Sequence, residues 1–274
     1  MSFKENVVII TGASSGIGRE MAYQLASLGA NLVLAARNEA RLNEIAQKCQ
    51  SLGSKTLVVK TDVADEAQCK NLIDKTVSSF GRIDTLINNA GFGIRGKFEE
   101  QPSLDNFHKV MDVNYWGAVY CTRFALPHIL KTRGRIVGVS SLLGKFAMAG
   151  NTAYSSSKFA MAGFFDALRL ELRKTGVSVT MIYPGYVITE FAENMVQLDG
   201  SRVGERGRKF YFEKLMKADE CATIIIKAMA KRRRQVVMTF YGVLATWVNL
   251  FFPALLDPIL CWFTRWNKKR LEGE

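Results

Sequence analysis

A chain of 274 residues, 48% hydrophobic and 23% charged, fits one α/β domain with a full core and excludes a disordered or fibrous protein. Its five cysteines (Cys49, Cys69, Cys121, Cys221, Cys261) are scattered and odd in number, and the two histidines, His108 and His128, lack partners at ligand spacing; a disulfide framework and a metal site are both excluded. The formal charge is +12, and half of it lies from Lys227 onward, where nine Lys/Arg face three acids for a net +6.

Met1-Ser2-Phe3-Lys4-Glu5-Asn6 has no signal-peptide pattern, so a reducing, cytoplasmic setting is expected. It leads into Val7-Val8-Ile9-Ile10, an apolar, β-branched run that reads as a buried parallel strand. Thr11-Gly12-Ala13-Ser14-Ser15-Gly16-Ile17-Gly18 follows as a glycine turn, and Arg19 to Leu28 as a helix with Ala22, Leu25 and Ala26 on one face. Further strands are predicted at Leu32–Ala35, Thr56–Lys60, Asp84–Asn88, Arg135–Val139, Ser178–Tyr183 and about 235–240. Helices alternate with them at about 39–52, 66–80, 103–112, 114–132, 152–174 and 219–230. This alternation predicts a single Rossmann-type, doubly wound parallel sheet of about seven strands with helices on both faces.

Two segments carry chemistry. A strand, a glycine turn and a helix N-terminus together make a seat for a dinucleotide diphosphate: bare backbone approaches the phosphates, and the helix dipole favours their charge. A plain strand-to-helix turn would also need small residues there. The second segment is Tyr154-Ser155-Ser156-Ser157-Lys158, with Ser141 thirteen residues upstream. On a helix, positions i and i+4 share a face, so phenol and ammonium sit side by side. The positive charge favours the phenolate, which suits Tyr154 to proton exchange with a carbonyl/alcohol pair.

Taken with Asp62-Val63, Asn88-Asn89-Ala90-Gly91, Asn114 and Pro184-Gly185, these segments stand in the order and spacing of one known family. The chain resembles the short-chain dehydrogenases/reductases, closely over about residues 4–190 and more loosely to about 240. Arg19 to Tyr23 and Ala36-Arg37 look like the 11β-hydroxysteroid dehydrogenase branch. Ala36 to Glu39, Gly96 to Glu99 and Phe191 to Asn194 look like the 3-ketodihydrosphingosine reductase branch. The resemblance implies a catalytic set of Asn114, Ser141, Tyr154 and Lys158. Ser140 is an alternative that the residues alone leave open; the family's spacing to the tyrosine favours Ser141. The resemblance also implies a cofactor site of Gly12, Ser14, Ser15, Gly16, Ile17, Gly18, Asp62, Val63, Asn89, Ala90 and Gly91. Tyr154, Lys158, Pro184, Gly185, Val187 and Thr189 complete it on the nicotinamide side. At the end of strand two, Ala36-Arg37-Asn38 has no acid for a ribose 2′-hydroxyl, and Arg37 supplies a forked cation for a 2′-phosphate, so NADP(H) is the expected cofactor. Ser15 departs from the basic residue that relatives place there.

The chain end is the unusual part. Residues 236–256 are twenty-one without a charge, long enough for a membrane span on length alone. A strand at the start, Asn249 in the middle and Pro253, Asp257 and Pro258 at the end argue against that reading. Three readings stand for 241–266: a hydrophobic helix in a membrane interface anchored by Trp247, Trp262, Trp266 and the basic tail; an oligomer interface; or a cover over the chain's own cleft. Nucleic acid is not an expected partner. The chain is divided as a domain over 1–240, with a substrate loop at 186–217, and an extension over 241–274. Tyr186, Phe191, Met195, Val196 and Phe210-Tyr211-Phe212 give that loop an apolar lining, and the Gly/Arg-rich 199–209 reads as a lid. The expectation is an NADPH-dependent reductase of a lipophilic ketone, such as a steroid or a long-chain 3-keto lipid. It would touch the cytoplasmic face of a membrane through 241–270 and assemble as a homodimer or homotetramer. The alternatives are a soluble NADP-dependent alcohol dehydrogenase on small substrates and a catalytically silent dinucleotide-binding protein.

Overall fold

The computed structural model describes residues 3–198, 201, 204 and 215–272, the last eight as helix backbone. Seven parallel strands form the sheet: β1 (Val7–Thr11), β2 (Asn31–Ala36), β3 (Thr56–Lys60), β4 (Thr85–Asn88), β5 (Arg135–Val139), β6 (Ser178–Tyr183) and, after a two-stranded pair β7 (Val187–Ile188) and β8 (Met216–Lys217), β9 (Gln235–Val237). Their spatial order is β3-β2-β1-β4-β5-β6-β9. The helices are α1 (Gly16–Ser27), α2 (Glu39–Ser51), α3 (Glu66–Phe80), α4 (Asp105–Met111), α5 (Gly117–Thr132), α6 (Thr152–Glu171), α7 (Phe191–Asn194), α8 (Ala218–Ala230), α9 (Phe240–Phe251) and α10 (Pro253–Glu272).

Strand side chains alternate between two cores, as a period of two requires. Val7 and Ile9 face the layer of α3, α5 and α6, where Leu72, Cys121 and Phe165 lie fully buried. Val8 and Ile10 face the layer of α1, α2 and α8, with Met21, Leu42 and Ile225. β1 pairs with both β2 and β4, so the chain winds outward in one direction from β1 and then in the other from β4. That reversal opens a crevice at the C-terminal ends of β1 and β4, where ligands of such sheets bind.

Several boundaries differ from the sequence reading. α1 starts at Gly16 rather than Arg19, because the glycine turn itself forms the first helical turn. The two helices expected at 103–112 and 114–132 are one continuous path: a wide π turn, Asp112–Trp116, joins α4 to α5. β9 stops at Val237, and Thr239 Oγ1 accepts the Gly242 amide at 3.2 Å, which starts α9 where the strand was expected to continue. Apart from Ser201 and Gly204, the expected lid 199–209 and the aromatics Phe210 to Phe212 lie outside the described residues.

Four of the cysteines are buried and Cys261 is exposed. Burial pushes the Cys49 thiol up to about 11 and the Cys221 thiol up to about 12, so both act as packing residues and not as nucleophiles.

Candidate active site

The glycine turn is built around its missing side chains. Gly12 has φ +66°, and a Cβ there would lie 2.8 Å from Ala90 Cα. A Cβ on Gly18 would lie 2.3 Å from the Gly12 carbonyl oxygen. Thr11 and Asn89 lace this turn to the end of β4. The Thr11 hydroxyl accepts from the amides of Asn89 and Ala90 at 3.0 and 3.1 Å. The Asn89 side-chain amide donates to the carbonyls of Thr11 and Gly12 at 3.0 and 3.3 Å. Asn89 and Ala90 thus hold the shape of the loop. Ser14, Ser15 and Ile17 complete the turn at the head of α1, with Ser15 at the N-cap position and its side chain making no capping bond.

The other expected cofactor residues surround this crevice. Arg37 stands exposed at the end of β2, and Asn38 Oδ1 caps α2 through the Arg41 amide at 3.1 Å. Asp62 Oδ1 accepts the Ala64 amide at 3.1 Å, and Val63 is buried against Gly117 of α5. Pro184 O accepts the Leu142 amide at 3.0 Å, which ties the end of β6 to the turn after β5. Val187 lies in β7, and the Thr189 side chain abuts Gly16. Bare glycines let this turn pack closely on Ala90, Thr189 and itself at the head of α1, and a glycine turn at a helix N-terminus fits a dinucleotide diphosphate.

Three of the expected catalytic residues, Asn114, Tyr154 and Lys158, come together beside it. Lys158 is 3% exposed, and its Nζ donates to Val139 O at 3.1 Å and lies 5.6 Å from the centre of the Tyr154 ring. Burial lowers its pKa from 10.5 to about 8. A lysine buried without a carboxylate partner is costly, and such groups gather at functional sites. Asn114 sits in the π turn that interrupts the helix, fully engaged: its Nδ2 donates to Phe92 O and Ser157 Oγ, both at 3.0 Å, and its Oδ1 accepts the Phe92 amide at 3.0 Å. A Cβ on Gly91 would lie 3.0 Å from Asn114 Oδ1 and 3.4 Å from Lys158 Nζ, so the bare glycine leaves a small space between them. Successive strand residues face opposite ways, and this separates the two serines. Ser140 is buried and donates to the Lys158 carbonyl at 3.3 Å, whereas Ser141 is half-buried and caps the following turn, accepting from Leu143 N at 3.2 Å.

Four neighbours escaped the sequence reading as parts of the site. Ser157 supports Asn114 and donates to Tyr154 O at 2.7 Å; its place inside Tyr154–Lys158 was the available signal. The ring of Phe191, expected only as pocket lining, packs 5.8 Å from that of Tyr154. From the extension, Tyr241 Oη lies 2.4 Å from where a Gly185 Cβ would stand, and Gly242 fits under Leu142, 2.5 Å from its own missing Cβ. The first turn of α9 therefore packs on the turns that carry Ser141 and Gly185. Among the described residues, no group of three His, Cys, Asp or Glu is placed to hold a metal.

A glycine-lined crevice at the reversal of a parallel sheet, beside a buried Tyr–Lys pair, defines a dinucleotide-binding α/β protein of the oxidoreductase type. The family model described as short chain dehydrogenase matches residues 6–199. Among curated proteins, an 11-beta-hydroxysteroid dehydrogenase of Pinus massoniana is 39% identical over 262 residues, covering 92% of this chain and 72% of that protein. The mouse dehydrogenase/reductase SDR family member 7B is 35% identical, covering 96% and 82%. A short-chain dehydrogenase/reductase from Burkholderia phymatum, solved in complex with NAD, superposes with a TM-score of 0.82 at 28% identity, covering 94% of this chain and 97% of that one. An alcohol dehydrogenase from Thermococcus sibiricus, complexed with 5-hydroxy-NADP, has a TM-score of 0.74 at 27% identity, covering 86% and 96%. The chain belongs to the short-chain dehydrogenase/reductase family and is an NAD(P)-binding oxidoreductase related to hydroxysteroid dehydrogenases.

Proposed function

We propose that the protein is an NADPH-dependent reductase that converts the ketone of a lipophilic substrate, a steroid or a long-chain 3-keto lipid, to an alcohol. The observation that carries this reading is the buried Lys158 ammonium 5.6 Å from the Tyr154 ring at the mouth of the glycine-lined crevice. When bound, the reduced nicotinamide supplies the hydride. Ser141 holds the substrate oxygen, and Tyr154 gives it a proton as negative charge develops. Lys158 favours the phenolate left behind and would hold the ribose hydroxyls of the bound cofactor. Asn114, which neighbours Lys158 across the bare Gly91, would support the water by which Lys158 exchanges protons with solvent. Arg37, exposed and without a competing acid at the end of β2, receives the 2′-phosphate.

The lipophilic class is supported by the extension. Phe240, Leu244, Trp247, Leu250, Phe251 and Leu255 on α9 and the start of α10 are exposed, next to the turns that carry Ser141 and Gly185. Such a face with a basic tail suits peripheral contact with the cytoplasmic face of a membrane. Among the described residues no helix is long and apolar enough to cross one. Names of the relatives in the hydroxysteroid dehydrogenase group point to the same substrate class. The chain is read as one domain to residue 240 with this extension added, assembled as a homodimer or homotetramer. The test is NADPH consumption against a panel of steroids and long-chain keto lipids, with NADH in parallel and Tyr154→Phe as control. Turnover that survives Tyr154→Phe, or a preference for small soluble ketones, would reject the reading.

A further inference from the structure

Glu190 follows Thr189 and leads the chain into α7. Its carboxylate reaches the head of α1: Oε2 accepts the Gly16 amide at 3.1 Å, and Oε1 pairs with Arg19 Nη1 at 2.9 Å. Gly16 has φ +52°, and a Cβ there would press on the Thr189 side chain at 3.1 Å, so the bare backbone lets the Thr189-Glu190 segment lie against the turn. The first amides of α1 lack helical partners and carry the positive end of its dipole. They are the same seat that fits a dinucleotide diphosphate. Desolvation works against the charge on Glu190, but hydrogen bonds from backbone amides and the Arg19 guanidinium outweigh it and hold the carboxyl below the usual carboxylate range.

Two anions do not share one seat. We infer that Glu190 occupies the diphosphate seat in the free protein and that dinucleotide binding expels it, leaving Arg19 to face the incoming phosphates. The next residue, Phe191, packs its ring 5.8 Å from that of Tyr154, and Phe191 and Met195 both line Gly93. Expelling Glu190 therefore shifts the segment that covers the proposed proton donor. Cofactor arrival thereby repositions the wall of the ketone site; this second half rests on the role of Tyr154 proposed above.

The test is titration of the full chain with NADPH, followed by calorimetry. Glu190→Gln keeps the shape and removes the charge. It is expected to lower the Kd for NADPH by roughly 5-fold or more, the scale of an ion at a helix terminus, and to leave the Kd for adenosine, which has no phosphate, unchanged. Arg19→Gln is expected to raise the Kd for NADPH. A substitution that merely damaged the loop would weaken NADPH binding at Glu190 as well. Equal or weaker binding by Glu190→Gln would overturn the inference. Should that variant fold poorly, hydrogen exchange of the wild-type protein decides: residues 190–194 are expected to exchange faster with NADPH bound, and greater protection would overturn the inference. If wild-type protein bound neither NADPH nor NADH, the reductase reading itself would fall, a result distinct from normal binding without the expected Glu190 effect.

Discussion

Lys158→Met is expected to make the cofactor-free protein more stable while abolishing turnover. The ammonium is held in a fully buried position, where its pKa falls from 10.5 to about 8. At roughly 1.4 kcal/mol per pKa unit, the fold carries about 3 kcal/mol of cost for that charge at neutral pH. Methionine fills the volume of the stem but leaves Val139 O without its donor, a loss of about 1 kcal/mol. The net gain is about 2 kcal/mol, or roughly 4–8 °C in melting temperature for a domain of this size. Below about 8 the lysine is protonated in both folded and unfolded chains, and the cost is complete. Between about 8 and 10.5 the folded chain gives up the proton while the unfolded chain keeps it, so the wild-type protein gains stability as pH rises. The variant has no such slope, and its advantage narrows across that window. Thermal melts of both proteins at pH 7, 8, 9 and 10, without cofactor, measure this directly. A variant less stable at pH 7, or a gap that does not change with pH, would refute the claim that burial of the charge governs this site.

Three further outcomes are expected. Arg37→Ala should weaken NADPH by roughly 10-fold and NADH far less in paired titrations, since only one of them carries the 2′-phosphate. Gly242→Val should lower kcat while the Kd for NADPH holds, because the new side chain meets Leu142 and displaces the turn that carries Ser141; urea melts should show a cost of about 1–3 kcal/mol. Trp247→Glu, at a position 58% exposed and stacked on Phe251, should leave the melting temperature unchanged and reduce sedimentation with anionic vesicles. Equal sedimentation of the two proteins would remove α9 from any membrane contact.

Local pattern carried much of this protein. Thr56–Lys60, Arg135–Val139 and Ser178–Tyr183 were legible to the residue because each is an apolar run between polar or turn residues, and a strand is recognised by its own composition. The glycine spacing and the Tyr154/Lys158 pair were legible for a similar reason: each depends on a geometry spanning a few residues. Ser140 and Ser141 mark the edge of that reach. They share one strand end; alternation turns them opposite ways, but only the packing of α6 decides that Ser140 is the buried one and Ser141 the half-buried one. Tertiary structure alone decided the rest. Glu190 reaches Gly16 across 174 residues, and Tyr241 comes to Gly185 from an extension whose sequence favoured a helix in a membrane interface over an oligomer interface or a cover. Periodicity records which face of an element is buried, not which distant element buries it. A charge set on another helix's N-terminus, or a glycine kept bare for a neighbour's leucine, follows from how the layers stack, and no local pattern of residues encodes it.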